Sequence, residues 1–175
     1  MKILIVLVLV LFLASLWDYK KGKIPNMLIV TGALYGLMRV FYYQTLFRHI
    51  SGIIFPILIF YPLYKIGTIG AGDIKLFSVI GFYVSFMESM YCIFLAFVIG
   101  AIFSFFYMKR EENLADRISY LISYLKDCLN KKQFRNYYMN FNGNELSSEE
   151  IAKTKIHLAI PIFISVCIHL GGGFL

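Results

Sequence analysis

Six apolar runs, separated by short polar stretches, set the pattern of this 175-residue chain. They are residues 3–17, 27–43, 50–64, 74–86, 90–108 and 156–175. A helix needs about 20 residues to cross a hydrocarbon core of about 30 Å, and the last two runs reach that length. The first run is short and closes at Asp18, and the fourth is short and opens at Asp73. Because a helix end within the membrane must face protein or water, these two ends predict a recess.

Composition indicates that these runs are membrane spans. Hydrophobic residues make up 59% of the chain and aromatic residues 18%, and the mean hydropathy is +0.72. A soluble domain covers its core with polar stretches, whereas only residues 109–155 form a long one here. We therefore expect an all-α polytopic integral membrane protein with six transmembrane helices in a single domain, residues 1–175. Residues 109–155 would form a cytoplasmic loop inserted before the last helix.

The basic residues predict the orientation of the spans. If the spans alternate, the loops at 18–25, 65–75 and 109–155 share one side, and they hold fourteen of the seventeen lysines and arginines. The positive-inside rule assigns these loops to the cytoplasm and both termini to the outside. The net charge of +7 then reflects orientation and attraction to anionic lipids, and no other feature favours nucleic-acid binding. The first run follows a single basic residue and lacks an A-x-A-like site, so we expect it to be retained as a span.

Acidic residues are scarce outside the polar loop. Residues 1–108 contain three, Asp18, Asp73 and Glu88. The predicted topology puts Asp18 and Asp73 at the cytoplasmic ends of spans one and four, and Glu88 in a short external turn. Two of the three carboxyl groups can therefore converge, and the third cannot.

A convergent pair of aspartates can hydrolyse a peptide bond. Two carboxyl groups about 3 Å apart cannot both ionise cheaply, so the pair holds a single proton. The ionised member takes a proton from water, which attacks the peptide carbonyl, and the protonated member donates to the carbonyl oxygen. Because the pair titrates as a unit, the sequence does not assign the acid and the base to individual residues.

Residues around the two aspartates support such a site. Gly70 and Gly72 allow positive φ and close approach of the backbone, so that the chain can turn tightly into span four. Lys75 has two interpretations: it helps to hold an aspartate ionised, or it extends to lipid phosphate. Pro25 fits the first turn of span two, where a missing N–H costs nothing, and Asn26 can bond the local backbone.

These motifs carry a family resemblance. An aspartate followed by K-I-P-N at residues 23–26, and a second within G-A-G-D-I-K at 70–75, resembles the type IV prepilin peptidase family of membrane-embedded aspartic peptidases. The resemblance implies that Asp18 and Asp73 are the catalytic pair, and Pro161 matches a proline element of the family's last helix. It also implies an endopeptidase that cleaves the short basic leader from prepilin-like membrane proteins. The site would face the cytoplasm at the inner membrane of a prokaryote.

The chain departs from the larger members of that family. Those members carry a cytoplasmic insertion with paired C-x-x-C elements that bind zinc, and they also N-methylate the new N-terminus. This chain lacks the insertion and has only scattered cysteines, Cys92, Cys128 and Cys167. It resembles the short, peptidase-only form related to those of Flp/Tad pili, without methyltransferase activity. Its histidines, at positions 49, 157 and 169, have no metal-ligand spacing, so we expect no metal and no cofactor.

The polar loop predicts an amphipathic helix. Apolar residues recur at helical spacing from Leu114 to Leu129 among basic positions, as in a helix lying on the cytoplasmic leaflet. Ser147 and Glu150 are spaced like a capping box at the start of another helix. Two roles stay open: the loop covers the membrane surface, or it guides the basic leader of the substrate towards the aspartates.

Other features and functions also have plain interpretations. Gly32 and Gly36 form G-x-x-x-G, which predicts close packing within the protein, and Arg39 is expected to extend outward or to pair with a polar group.

A proton- or ion-coupled carrier could use the same two aspartates, but the chain shows no internal repeat. A presenilin-like intramembrane protease shares G-x-G-D, whereas K-I-P-N favours the prepilin type. The expected partners are membrane lipids and prepilin-like substrates.

Overall fold

The computed structural model describes residues 2–110, 119, 122 and 157–172. Within the continuous parts of that range, the chain forms six α-helices and no strand, so the all-helical prediction is confirmed there. Each helix coincides with one of the six apolar runs. Most of the loop at 109–155, with its predicted helices, lies outside the described residues. The helices are α1 (Lys2–Lys21), α2 (Asn26–Tyr42), α3 (Leu46–Lys65), α4 (Ala71–Tyr83), α5 (Phe86–Arg110) and α6 (Ala159–Gly172).

Helix α1 is longer than its apolar run. It has 20 residues, because it continues through Asp18 and ends only at Lys21, so the end that the sequence placed at Asp18 lies three residues later. Gly22 ends it in the left-handed region, at φ 62°, and donates its N–H to the carbonyl oxygen of Asp18 at 2.7 Å. This is the αL capping bond that ends many helices. Asp18 therefore lies in the last turn of α1, where its backbone also closes the helix.

Helix α4 is short and central. It has 13 residues and contacts each of the other five helices. Most of its side chains are buried, including Leu76, Phe77 and Ile80. The residues around the fourth run thus form the core of the bundle rather than one of its outer walls.

Glycines allow the neighbouring helices to approach α4 closely. A Cβ atom added to Gly81 would overlap the backbone carbonyl of Gly52 in α3, and one added to Gly36 of α2 would overlap Phe82. A Cβ atom on Gly32 would lie 3.0 Å from Val10 of α1. The prediction that the G-x-x-x-G of α2 packs within the protein is confirmed.

Side chains from α2 and α3 satisfy the carbonyl groups at the end of α4. Arg39 donates to the carbonyl oxygen of Tyr83, which confirms that this arginine pairs with a polar group. The Nδ1 atom of His49 lies 3.1 Å from the carbonyl oxygen of Gly81 and 2.8 Å from that of Val84. Both partners are acceptors, so Nδ1 carries the proton and donates. The last carbonyl groups of a helix have no partner within the helix, and here two other helices supply donors.

Glu88 caps the next helix. It lies in the first helical turn of α5, whereas the sequence predicted a connecting turn between two spans. Its Oε2 atom accepts the N–H of Ser85 at 2.7 Å. This is one half of a capping box, which stabilises the start of a helix. Glu88 therefore has a structural partner at the far end of α4 from Asp73.

One described helix is long and apolar enough to cross a membrane, by length and composition. The stretch is Phe86–Tyr107 of α5, and only 28% of an apolar 18-residue segment within it is buried inside the structure. Shorter apolar helices cover Asn26–Tyr42, His49–Lys65 and Ala159–Gly172. The membrane-spanning character of the other helices stays a prediction.

The contact between Gly81 and Gly52 gives a test of the packing. Gly81→Ala places a methyl group against backbone, which cannot move aside as a side chain does, so we expect the free energy of unfolding to fall by about 1–3 kcal/mol. Gly171→Ala is the matched control, since a Cβ atom there meets nothing within 4 Å. Unfolding of the purified chain in detergent, followed by circular dichroism, measures both. Equal stability of the two variants would contradict this packing.

Candidate active site

Two buried carboxyl groups lie near helix ends. Asp18, in the last turn of α1, is 5% exposed, and Asp73, in the first turn of α4, is 8% exposed. Burial of a carboxylate is costly unless neighbouring groups stabilise its charge. Two buried carboxyl groups in one small bundle are typical of a functional site.

Both aspartates belong to the same end of the bundle. Helices α1 and α4 pack against each other, and the segment after α1 lies against the start of α4. A Cβ atom added to Gly72 would lie 3.1 Å from the Cδ1 atom of Ile24. The Nζ atom of Lys75 donates to the Oδ1 atom of Asn26 at 3.1 Å. The K-I-P-N segment therefore contacts the G-A-G-D-I-K segment at two points, which flank Asp73.

The two glycines before Asp73 act differently from the prediction. Gly70 precedes the first residue of α4 with φ −74° and ψ 145°, and Gly72 lies inside the helix, so the expectation of positive φ at both is wrong. The turn comes earlier, because Gly67 has φ 83° and α4 already begins at Ala71. The predicted close approach is found at Gly72, where the absence of a side chain leaves room for Ile24.

The start of α2 also differs in detail. Pro25 lies one position before the helix rather than in its first turn, at φ −63° and ψ 130°, and its carbonyl oxygen accepts the N–H of Leu28 at 3.1 Å. The side chain of Asn26 accepts a hydrogen bond from the Nζ atom of Lys75, whereas the sequence suggested a bond to the local backbone. Lys75 thus has a protein partner that neither of its two interpretations included.

His157 is the residue of this site that the sequence analysis missed. Its Nδ1 atom lies 3.5 Å from the Oδ2 atom of Asp18, and its ring meets the ring of Tyr19 edge-on, with centroids 5.9 Å apart. The distance is that of an ion pair rather than a formed hydrogen bond. One signal was available: His157 stands at the start of the last apolar run, on the same predicted side as both aspartates.

Glu88 is not part of this group. It caps α5 just past the C-terminal end of α4, whereas Asp73 lies in the first turn of α4. The intervening ten residues of helix span about 15 Å at 1.5 Å per residue. Only two of the three acids in the first 108 residues therefore share an end of the bundle.

A comparison with known protein families covers the region that holds Asp18 and Asp73. A profile of the type IV leader peptidase family matches residues 5–105, more than half of the chain. The chain belongs to this family. Membership makes it a peptidase, and hence a hydrolase, that acts on leader sequences. Comparisons with curated proteins and with solved structures gave no significant match.

The match covers some site residues and not others. The matched region of this leader peptidase includes Asp18, Pro25, Asn26 and the segment 70–75, together with the contacts between them. His157 lies beyond it, two residues before the first residue of α6. The contact of His157 with Asp18 is therefore a property of this fold that the matched segment does not include.

The contact between Gly72 and Ile24 gives a second test. Gly72→Leu must displace Ile24, so we expect the free energy of unfolding to fall by about 1–3 kcal/mol. Adding Ile24→Ala makes room for the new side chain and should recover about half of that loss, although Ile24→Ala alone destabilises. Unfolding measurements on the three variants give the coupling. Strictly additive effects would show that the two segments do not touch.

Proposed function

We propose that this leader peptidase is an aspartic endopeptidase that removes the short basic leader from type IV prepilin-like precursors at the cytoplasmic face of a prokaryotic inner membrane. The observation that carries the proposal is the burial of Asp18 and Asp73 at one end of two packed helices. Family membership and the two contacts between the aspartate-bearing segments support it.

The chemistry needs one proton shared between two carboxyl groups. The ionised aspartate accepts a proton from water as the water oxygen bonds to the peptide carbonyl carbon, and the protonated aspartate donates its proton to the carbonyl oxygen. The tetrahedral intermediate then expels the amine: the C–N bond breaks as the nitrogen takes the proton that came from water, and a hydroxyl group of the intermediate returns a proton to the other aspartate, which restores the shared proton. The products are a free carboxyl group on the leader and a new N-terminus on the pilin. Neither a metal nor a cofactor is required.

The surroundings of the two aspartates suit this chemistry. The first turn of a helix stabilises negative charge, and Asp73 lies in the first turn of α4. Asp18 has the imidazole of His157 beside it. A site with few water molecules strengthens both interactions and still admits the one water that reacts. The carboxyl groups are buried yet lie near helix ends, where an extended substrate backbone can reach them.

The exposed surface supports insertion in a membrane with six spans. Large apolar side chains point outward along α2 and α5, among them Met38, Phe41, Phe94 and Phe106. A soluble protein rarely exposes contiguous apolar patches beyond a few hundred Å². Lipid tails would cover these side chains in the bilayer.

Basic residues support a cytoplasmic location of the site. The end of the bundle that holds the two aspartates also carries four lysines, Lys20, Lys21, Lys65 and Lys75. Lysines next to membrane spans favour the cytoplasmic side. The Nζ atom of Lys21 lies 4.1 Å from the centroid of the Trp17 ring, a pairing of residue types common at a membrane surface. A prepilin fits this geometry, because its apolar helix can stay in the bilayer while its leader lies at the surface.

The short form of the chain bears on the activity. It has no C-x-x-C pair and no N-terminal insertion, so we propose leader cleavage without N-methylation. The carrier and the presenilin-like protease gain no support, because the two aspartates lie at helix ends and the K-I-P-N segment packs on the start of α4. The loop at 109–155 stays a hypothesis as a guide for the leader.

The catalytic pair can be tested by co-expression with a prepilin encoded in the same genome. We expect Asp18→Asn and Asp73→Asn each to slow leader removal at least about 1,000-fold, because loss of one member disables a pair that acts as a unit. Glu88→Gln is the matched control: it also removes one carboxylate, keeps an acceptor for the Ser85 N–H, and should process normally. Immunoblots of precursor and mature pilin measure the rate.

Two results would contradict the proposal. Full processing by either aspartate variant would exclude the two-aspartate mechanism. Loss of processing in the Glu88→Gln variant alone would show that the catalytic acids lie at the other end of α4.

A further inference from the structure

We infer that His157 is a positioning residue for Asp18, which fixes the orientation of its carboxylate through the Nδ1 atom. The inference rests on the proposed function, because it assigns a role within the same reaction. His157 lies outside the segment that matches the family profile, and the sequence analysis assigned it no role.

The first step of the argument is the state of the imidazole. Its Nδ1 atom is inaccessible to solvent and has no hydrogen-bond partner within the part of the chain that the structure describes. The Oδ2 atom of Asp18, at 3.5 Å, is an acceptor within reach. Buried polar atoms in folded proteins almost always have a partner, so a small movement that closes this distance is favourable. Catalytic hydrogen bonds are often long before substrate binds, and they shorten in the complex.

The second step is that His157 is held in place from two sides. Its carbonyl oxygen accepts the N–H of Ile160 at 3.4 Å, which ties it to the first turn of α6. Leu158, the next residue, lies against α5, since a Cβ atom on Gly100 would be 3.3 Å from its Cδ1 atom. The ring of Tyr19 meets the imidazole edge-on from α1. The backbone of His157 is therefore held next to α5 and α6, and its imidazole lies against α1.

The third step is what a fixed donor does to a carboxylate. A carboxylate has two oxygens, and engagement of Oδ2 restricts rotation of the group and leaves Oδ1 for the reaction. Water activation requires the accepting oxygen to lie within hydrogen-bond distance of the water, and a misplacement of 1 Å costs about 100-fold in rate. His157 would raise the rate of the chemical step without touching the substrate.

The kinetic test uses the full chain in detergent and a synthetic precursor with a lysine-containing leader, a glycine at the cleavage point and an apolar helix. We expect His157→Leu to lower kcat about 10- to 100-fold while KM changes less than about twofold. His157→Asn keeps an N–H donor near the position of Nδ1 and should recover most of kcat. His169→Leu is the matched control, because His169 lies in the last turn of α6, beside Tyr91, and should act like the parent.

A second measurement does not depend on activity. In the chain labelled with 15N-histidine, the His157 signals are those lost in His157→Asn. We expect Asp18→Asn to shift the Nδ1 resonance of His157 more than Asp73→Asn does. An unchanged chemical shift of the His157 Nδ1 atom in the Asp18→Asn variant would overturn the inference.

The outcomes separate the inference from the proposed function. A parent chain that leaves the precursor uncut would overturn the proposed function, and the reaction role of His157 with it. An active parent whose His157→Leu variant cleaves equally fast would overturn the inference alone. The same holds if the asparagine variant is no better than the leucine variant, or if KM changes as much as kcat, since a merely structural role predicts those results.

Discussion

A short helix enclosed by protein on almost every side needs partners at both of its ends, because unpaired peptide groups and charges are costly away from water. Helix α4 is under that constraint, and its neighbours meet it differently at each end. Arg39 and His49 supply donors to the carbonyl groups at its C-terminal end. At its N-terminal end, the N–H of Asp73 donates to the carbonyl oxygen of Gly70 at 3.1 Å, and the buried carboxyl group of Asp73 lies in the first turn, where a helix favours negative charge. Donors from α2 and α3 thus hold the C-terminal end of α4, and the proposed catalytic Asp73 lies at its other end.

Close packing of the neighbouring helices on α4 brings the aspartate-bearing segments together. Glycines at positions 36, 52 and 81 let α2 and α3 approach α4 closely, which fixes where α2 begins. That position brings Ile24 onto Gly72 and Asn26 to Lys75. Small residues in the helix crossings, far from the aspartates, thereby determine the geometry of the proposed catalytic end. We expect substitutions in those crossings to reduce activity through position rather than through chemistry.

The sequence predicted what depends on local pattern and missed what depends on contacts. Apolar runs located all six described helices, and the scarcity of acids, together with the predicted topology, singled out Asp18 and Asp73 as candidates. The length of α1 was missed because its last turn is polar, and hydropathy does not distinguish a polar helical turn from a loop. Positive φ was assigned to Gly70 and Gly72 because glycine permits it, whereas tertiary packing used Gly72 for space. His157 and Asp18 are far apart in the chain, so the sequence could place them on the same side of the membrane but could not reveal their contact.

The central claim is that Asp18 and Asp73 converge while Glu88 stays apart, and cysteine cross-linking tests it most directly. In a chain with Cys92, Cys128 and Cys167 replaced by serine, Asp18→Cys can be paired with Asp73→Cys or with Glu88→Cys and oxidised in the membrane. A disulfide requires Cα atoms about 4.4–6.8 Å apart, and a short bifunctional maleimide extends the reach of the same assay. We predict efficient cross-linking of positions 18 and 73 and none of positions 18 and 88. Absence of the first cross-link with both reagents, or presence of the second, would contradict a two-aspartate site.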